Sequence, residues 1–261
     1  LRVAILTAHR TGVASCCLPP LLAQPGVELP VVIFDSRQQR NRWRQAKRIL
    51  RKTIRIGPAG ALVGLSIRKW YSSDKAEDIF TMSPRHGVRV ESTPSVNHER
   101  TRQLLSEYGI ELGISLGNGY IGKKTFSTPK YGMINVHGEV LPRFRGARSV
   151  IWAIYEGIPE TGFTIHQIDE GIDTGTILHV ERFPMVFGRT LSETVCLSIQ
   201  EINRRVPTVL ANVVGNYLQF RAGAKPQAQG RSYTTPTLRQ FLQMRWQHKR
   251  LREAYGRSVE R

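Results

Sequence analysis

A chain of 261 residues with 40 % apolar side chains can bury a sizeable core, as one large domain with an appendage or as two domains. The best uncharged run, Gly57 to Ile67, is too short and glycine-rich for a transmembrane helix. No basic stub followed by an apolar stretch marks a secretory signal, so a cytoplasmic location is expected. The net charge of +18 and pI near 10.5 point toward polyanions: phosphorylated substrates, anionic lipid or nucleic acid.

In chain order, Val3–Leu6 reads as a first strand and Gly12–Ala23 as a helix carrying Cys16 and Cys17. With Cys196 these make an odd count without metal spacing, and all three are expected to be small, reduced, buried side chains. Leu29–Phe34 is a second strand. Ser36–Ile54 predicts a strongly basic helix. Arg37, Arg40, Arg42, Arg44, Lys47, Arg48, Arg51, Lys52 and Arg55 surround a thin apolar stripe of Trp43, Ala46, Ile49 and Leu50. Residues 57–80 carry no clear period. Val88–Val90 reads as a short strand, and Asn97–Tyr108 as a helix capped by Asn97 and stopped at Gly109.

Leu112–Leu116 and Gly132–His137 are buried strands, Arg148–Gly157 a helix, Phe163–Ile168 and Thr176–Val180 strands, and Thr190–Tyr217 a long helix. This alternation predicts an α/β fold with an open, mostly parallel sheet and helices on both faces. The large domain is placed at 1–217. A short C-terminal extension follows at 218–261, a hairpin or loop with a basic helix.

In such a sheet, ligands collect beyond the carboxyl ends of the strands. Asn135 and His137 close one strand, and residues two apart share a side, so an amide and an imidazole would face one pocket. The amide can hold a carbonyl oxygen, and the imidazole can move a proton near neutral pH. The loop Asp169-Glu170-Gly171-Ile172-Asp173-Thr174-Gly175 supplies carboxylates able to orient that imidazole and raise its pKa. It lacks the spacing and final Glu of a calcium loop. The turn Thr7-Ala8-His9-Arg10-Thr11-Gly12 has neither dinucleotide nor Walker glycine spacing, which speaks against nicotinamide or ATP chemistry. Arg10, at a helix start, is a candidate phosphate contact. His137, His166 and His179 lack metal-ligand spacing, so no metal is expected.

The run Gly132-Met133-Ile134-Asn135-Val136-His137-Gly138-Glu139-Val140-Leu141-Pro142-Arg143-Phe144-Arg145-Gly146-Ala147 resembles the core signature of folate-dependent formyltransferases. Trp152-Ala153-Ile154, Gly162-Phe163-Thr164-Ile165-His166 and Asp169 to Leu178 continue the pattern in order. The resemblance is specific over roughly residues 110–180 and looser upstream. It implies a Rossmann-like formyltransferase domain using N10-formyltetrahydrofolate without a metal, with Asn135, His137 and Asp173 catalytic. It also implies a pterin pocket walled by Leu116, Gly117, Asn118, Gly119 and Tyr120 on one side, and by Ile168, Asp169, Gly171 and Ile172 on the other. Arg143 and Arg145 join Arg10 as candidate substrate contacts. Glu139 departs from the usual small or apolar residue and is expected to alter the substrate pocket.

Chain length and tail most resemble sugar N-formyltransferases, which implies a nucleotide-diphosphate-linked amino sugar of the 4-amino-4,6-dideoxyhexose type as acceptor, for bacterial surface polysaccharide. A methionyl-tRNA formyltransferase-like enzyme lacking its usual C-terminal domain is the first alternative. A non-catalytic polyanion-binding protein on the same fold is the second. The basic segment 37–55 suits contact with an anionic membrane surface, nucleic acid is not expected as a partner, and a homodimer is expected by resemblance only.

Overall fold

The computed structural model describes residues 1–37, 42–71, 76–146 and 150–255. Arg40, Ala147, the start of the helix expected from Arg148, and the last six residues lie outside the described residues. So do the side chains of Arg42, Arg44, Ala46, Arg48, Ile49 and Lys52.

Strand β1 (Arg2–Thr7) leads through helix α1 (Val13–Leu22) to β2 (Glu28–Asp35). Helix α2 (Arg42–Lys69) and α3 (Ile79–Arg85) precede β3 (Arg89–Thr93), α4 (Glu99–Glu107) and β4 (Leu112–Leu116). Then come α5 (Lys123–Phe126), β5 (Met133–His137), β6 (Phe144–Gly146), α6 (Ile151–Tyr155), β7 (Glu160–Gln167) and β8 (Ile177–Pro184). The chain continues through α7 (Leu191–Gly215), α8 (Tyr217–Ala222), β9 (Arg231–Tyr233) and α9 (Leu238–Tyr255).

Seven strands form one sheet in the order β3-β2-β1-β4-β5-β7-β8. The first five are parallel, whereas β5–β7 and β7–β8 pair antiparallel. The mostly parallel α/β reading therefore holds. Strand β1 shows why its sequence reads as a continuous apolar run. Val3 and Ile5 enter one core cluster with Leu18 of α1 and Val206 and Leu210 of α7. Ala4 and Leu6 enter a second with Leu104 and Leu105 of α4. A strand covered on both faces has no polar side to show.

Three local expectations need correction. The basic helix does not stop at Ile54. A break at Gly57 (φ 72°, ψ 163°) starts a second helical stretch at Pro58, and the pair runs on to Lys69. Gly57 reaches the left-handed region, and Pro58 sits where a helix needs no backbone N–H. The N-cap of α4 is His98, whose side chain accepts from Arg100 N. Asn97 instead ties α4 to the loop after β4, accepting from Gly122 N at 2.7 Å and donating to Tyr120 O at 2.8 Å. Of the cysteines, only Cys17 is buried. Cys16, about 100° round the same helix, is exposed, and Cys196 is half-buried.

The residue-217 boundary falls on the first residue of α8, which continues α7 after a one-residue break. The C-terminal segment packs closely on the rest of the chain. Strand β9 pairs with β6, Thr234 O accepts from Trp152 Nε1 at 3.1 Å, and Tyr233 stacks on Trp152 with centroids 4.6 Å apart.

Candidate active site

The site forms where β5 ends. Antiparallel pairing places Asn135 directly opposite His166 of β7, and His137 opposite Thr164. The loop between β7 and β8 returns Asp173 to the same place. Asp173 Oδ2 lies 3.6 Å from His137 Nδ1, and its Oδ1 lies 3.6 Å from His166 Nε2. These are electrostatic contacts rather than direct hydrogen bonds. Asp173 accepts from Gly146 N at 2.9 Å and adopts φ 53°. A non-glycine residue in that region signals a conformation the surroundings impose.

Carbonyl partners set the tautomers. His137 Nε2 lies 2.7 Å from Phe144 O, so it carries a proton and leaves Nδ1 facing Asp173. His166 Nδ1 lies 2.8 Å from Gln167 O and likewise donates, leaving Nε2 to accept from Asn135 Nδ2 at 3.2 Å. One of the two N–H bonds of the Asn135 amide is thus committed, and the other is available to a carbonyl oxygen.

The sequence predicts that the loop carboxylate raises the pKa of His137. Asp173 does raise it, but the net shift is downward. Burial is the largest influence and lowers it, Asp173 and the Phe144 carbonyl raise it, and His166 lowers it again. His137 is therefore held neutral, as a proton acceptor, at neutral pH. Burial pushes the Asp173 carboxyl upward, but His166, His137 and Gly146 N together outweigh it and bring the group below its ordinary value.

The three acids of the loop have separate tasks. Asp169 Oδ1 braces the loop itself, accepting from Gly171 N at 3.0 Å and Thr174 Oγ1 at 2.6 Å. Glu170 pairs with Lys123 at 2.5 Å. Asp173 is the acid that faces the histidines. His166 was not among the sequence-derived site residues. The available signal was Thr164 and His166, two polar residues on one side of an apolar strand.

The two expected pterin walls stand close together: Tyr120 Oη donates to Glu170 O at 3.4 Å, and the Lys123–Glu170 pair joins the same segments. Leu116 is buried at the end of β4, and Gly117 follows with φ 76°. Asn118 Nδ2 donates to Leu6 O at 2.6 Å and Ser115 Oγ at 3.2 Å. Its Oδ1 is buried without a hydrogen-bond partner among the described residues, and such an acceptor suits the amino and ring N–H groups of a pterin. Ile168 N donates to Met133 O, anchoring the second wall, and Ile172 is exposed.

The candidate substrate arginines do not meet the trio. Arg10 pairs with Asp78 at 2.6 Å and lies over the Phe80 ring. Arg143 pairs with Glu156 at 2.8 Å. Arg145 donates to Gln227 and Ala228 O. Glu139 does not face a substrate pocket. It is 2 % exposed and accepts from Val140 N, Val150 N and Thr161 Oγ1, so it pins the segment between β5 and α6 from inside. Among the described residues, no group of three or more His, Cys, Asp or Glu side chains could hold a metal ion.

An amide donor, a neutral imidazole and a carboxylate gathered at a strand end of an open α/β sheet define a site suited to acyl-type transfer through an oxyanion. Residues 74–208 match the family described as formyl transferase, and the chain belongs to that family. Methionyl-tRNA formyltransferase of Pseudoalteromonas translucida (strain TAC 125) is 30 % identical over 154 residues, covering 59 % of this chain and 47 % of that protein. The chain thus spans about half the length of that relative.

Solved structures share the fold. Phosphoribosylglycinamide formyltransferase from Bacillus halodurans superposes with a TM-score of 0.55 at 20 % identity, covering 82 % of this chain and 95 % of that one. A sugar N-formyltransferase from a Shewanella species gives 0.56 at 16 %, covering 94 % and 86 %. An N-formyltransferase from Helicobacter canadensis, in complex with folinic acid and dTDP-3-aminofucose, gives 0.54 at 15 %, covering 88 % and 70 %.

Proposed function

We propose that this chain transfers a formyl group from N10-formyltetrahydrofolate to the amine of a nucleotide-diphosphate-linked amino sugar, of the 4-amino-4,6-dideoxyhexose type used in bacterial surface polysaccharide. The observation that carries the reaction is the convergence of Asn135, His137 and Asp173 at the end of β5. The acceptor amine attacks the formyl carbon, and the remaining Asn135 N–H donates to the oxygen as it gains charge. His137 takes the proton lost by the amine at Nδ1. The imidazolium then has an acceptor at each nitrogen, Asp173 at Nδ1 and Phe144 O at Nε2. As the new C–N bond forms and the bond to the folate nitrogen breaks, His137 returns its proton to that leaving nitrogen.

For the acceptor, support comes from fold likeness to sugar N-formyltransferases over most of the chain, and from a basic surface suited to a nucleoside diphosphate. A second reading, aminoacyl-tRNA as acceptor, is favoured by the sequence identity with methionyl-tRNA formyltransferase. A panel of dTDP-, GDP- and UDP-linked amino sugars and charged initiator tRNA, each incubated with 10-formyltetrahydrofolate and scored by mass gain, separates the two. Formylation of an amino sugar is expected. Formylation of tRNA with none of any sugar overturns the acceptor, and no formylation of any acceptor overturns the reaction.

A further inference from the structure

Between Arg37 and Lys69 the chain carries eleven Lys and Arg residues and no Asp or Glu. None of them is among the residues named for the formyl-transfer site. In the same segment, large apolar side chains point into solvent: Trp43 is 87 % exposed, Leu50 61 %, Ile54 75 %, Leu62 69 % and Leu65 61 %. At 100° per residue, Trp43, Leu50 and Ile54 fall within about 40° of one another, with Lys47 on the same stripe and Arg51 at its edge. The protein-facing side is marked by Ile56, 7 % exposed, which lies about 120–160° round the helix from that stripe. Beyond the Gly57 break the division repeats, with Ile67 fully buried while Leu62 and Leu65 face out. Apolar exposure repeated along one side of a helix marks a surface that binds something.

We propose that α2 is a peripheral docking surface for an anionic lipid bilayer, with Trp43, Leu50 and Ile54 entering the headgroup–acyl boundary and Lys47 and Arg51 meeting lipid phosphates. The chemistry of the stripe selects this occupant. A bilayer offers both fixed anions and hydrocarbon, which an apolar stripe flanked by cations needs together. RNA supplies phosphates but no sink for aliphatic side chains. A second copy using the same face across a two-fold axis would set an acid-free cationic surface against itself. Arg55, which donates to Thr234 Oγ1 at 2.9 Å, ties this half of α2 to the body of the protein.

The test uses the full chain without folate or acceptor, so its outcome is independent of the proposed reaction. Co-sedimentation is measured with phosphatidylcholine vesicles and with vesicles of phosphatidylcholine and phosphatidylglycerol. Binding only to the anionic vesicles, weakened by salt, is expected. Replacing Trp43, Leu50 and Ile54 together by Ser, or making Lys47→Glu with Arg51→Glu, should each lower the partition coefficient about tenfold or more. These side chains face solvent, so far-ultraviolet circular dichroism and thermal midpoint should hold, and the charge variant keeps the test open if the triple variant misfolds. Absence of binding to anionic vesicles overturns the proposal, as does binding unchanged in both variants. Binding to tRNA without binding to vesicles overturns it in favour of nucleic acid. A dimer in sedimentation velocity that the triple variant disperses, without vesicle binding, overturns it in favour of a second copy.

Discussion

The carboxyl end of β5 and the helix α2 depart from ordinary burial in opposite directions. At β5, polar and charged groups are drawn into half-buried positions, and almost every one is held: Asp173 by Gly146 N, His137 by Phe144 O, Asn135 by His166. On α2, large apolar side chains are exposed, and nothing within the described residues covers them. Surface charge and buried hydrocarbon need no explanation. The inversions do, because each has a free-energy cost that the rest of the fold must offset. The contrast separates two kinds of recognition. The first fixes a few atoms to fractions of an ångström, as bond making demands. The second presents an area and a charge, as a fluid surface demands.

The comparison can be broken at several strengths. The largest effect is expected at the fixed end. Asn135→Ala should lower turnover by about a hundredfold or more, because one donor to a developing oxyanion is worth roughly 3–4 kcal/mol, and His137→Ala by about a hundredfold or more through loss of the proton carrier. The thermal midpoint should stay near that of the parent, and near-normal turnover in the His137 variant would remove it from the mechanism. Next is the tenfold loss of vesicle binding expected from the apolar stripe of α2. That variant should leave turnover in solution unchanged, since no site residue touches the stripe.

An effect of another kind, on stability, is expected at Glu139. Burial raises its carboxyl to about 7, whereas the unfolded chain titrates near the ordinary 4.5. The fold thus favours the protonated acid. Its contribution is fully present below about pH 4.5 and is lost as pH rises through about 7, a change of about 3 kcal/mol. Glu139→Gln removes that slope. It also sets an amide N–H group against a backbone N–H donor, at a cost of about 1–3 kcal/mol. Urea unfolding of both proteins between pH 5 and 8 measures slope and offset together, and an identical slope in the variant would show that Glu139 does not titrate in this range.

The smallest expected change is a shift along the pH axis. Asp173 raises the pKa of His137 against the larger lowering by burial. Asp173→Asn should therefore move the acid limb of kcat to lower pH while reducing the plateau. A limb moved upward would mean that another group sets it.

Much of this fold can be read from the chain. Strand β4 has the expected bounds, Leu112–Leu116, because a strand buried on both faces is a bare apolar run. Asn135 and His137 share a side because strand period is a local property. Non-local facts were out of reach. His166 meets Asn135 through an antiparallel register that no spacing in the sequence encodes. Glu139 reads as a departure near a pocket, but its partners Val150 and Thr161 are 11 and 22 residues away. The second half of α2 was obscured by Gly57, Pro58, Gly60 and Gly64, poor helix formers taken singly. Gly64 leaves room for Thr235, whose methyl would lie 2.6 Å from an added Cβ. That is a tertiary reason no propensity contains.

Strand β6 supplies both Phe144 O, which fixes the His137 tautomer, and Gly146 N, which holds Asp173. Its strand partner is β9, at residues 231–233, well beyond the family match that ends at 208. The groups proposed to react are therefore steadied by a segment that carries none of the signature. A chain shortened after 217 would keep Asn135, His137 and Asp173 and lose the strand that steadies their partners. Variation in such a tail, across proteins with identical motifs, is a route by which reactivity can drift while the recognisable site stays the same.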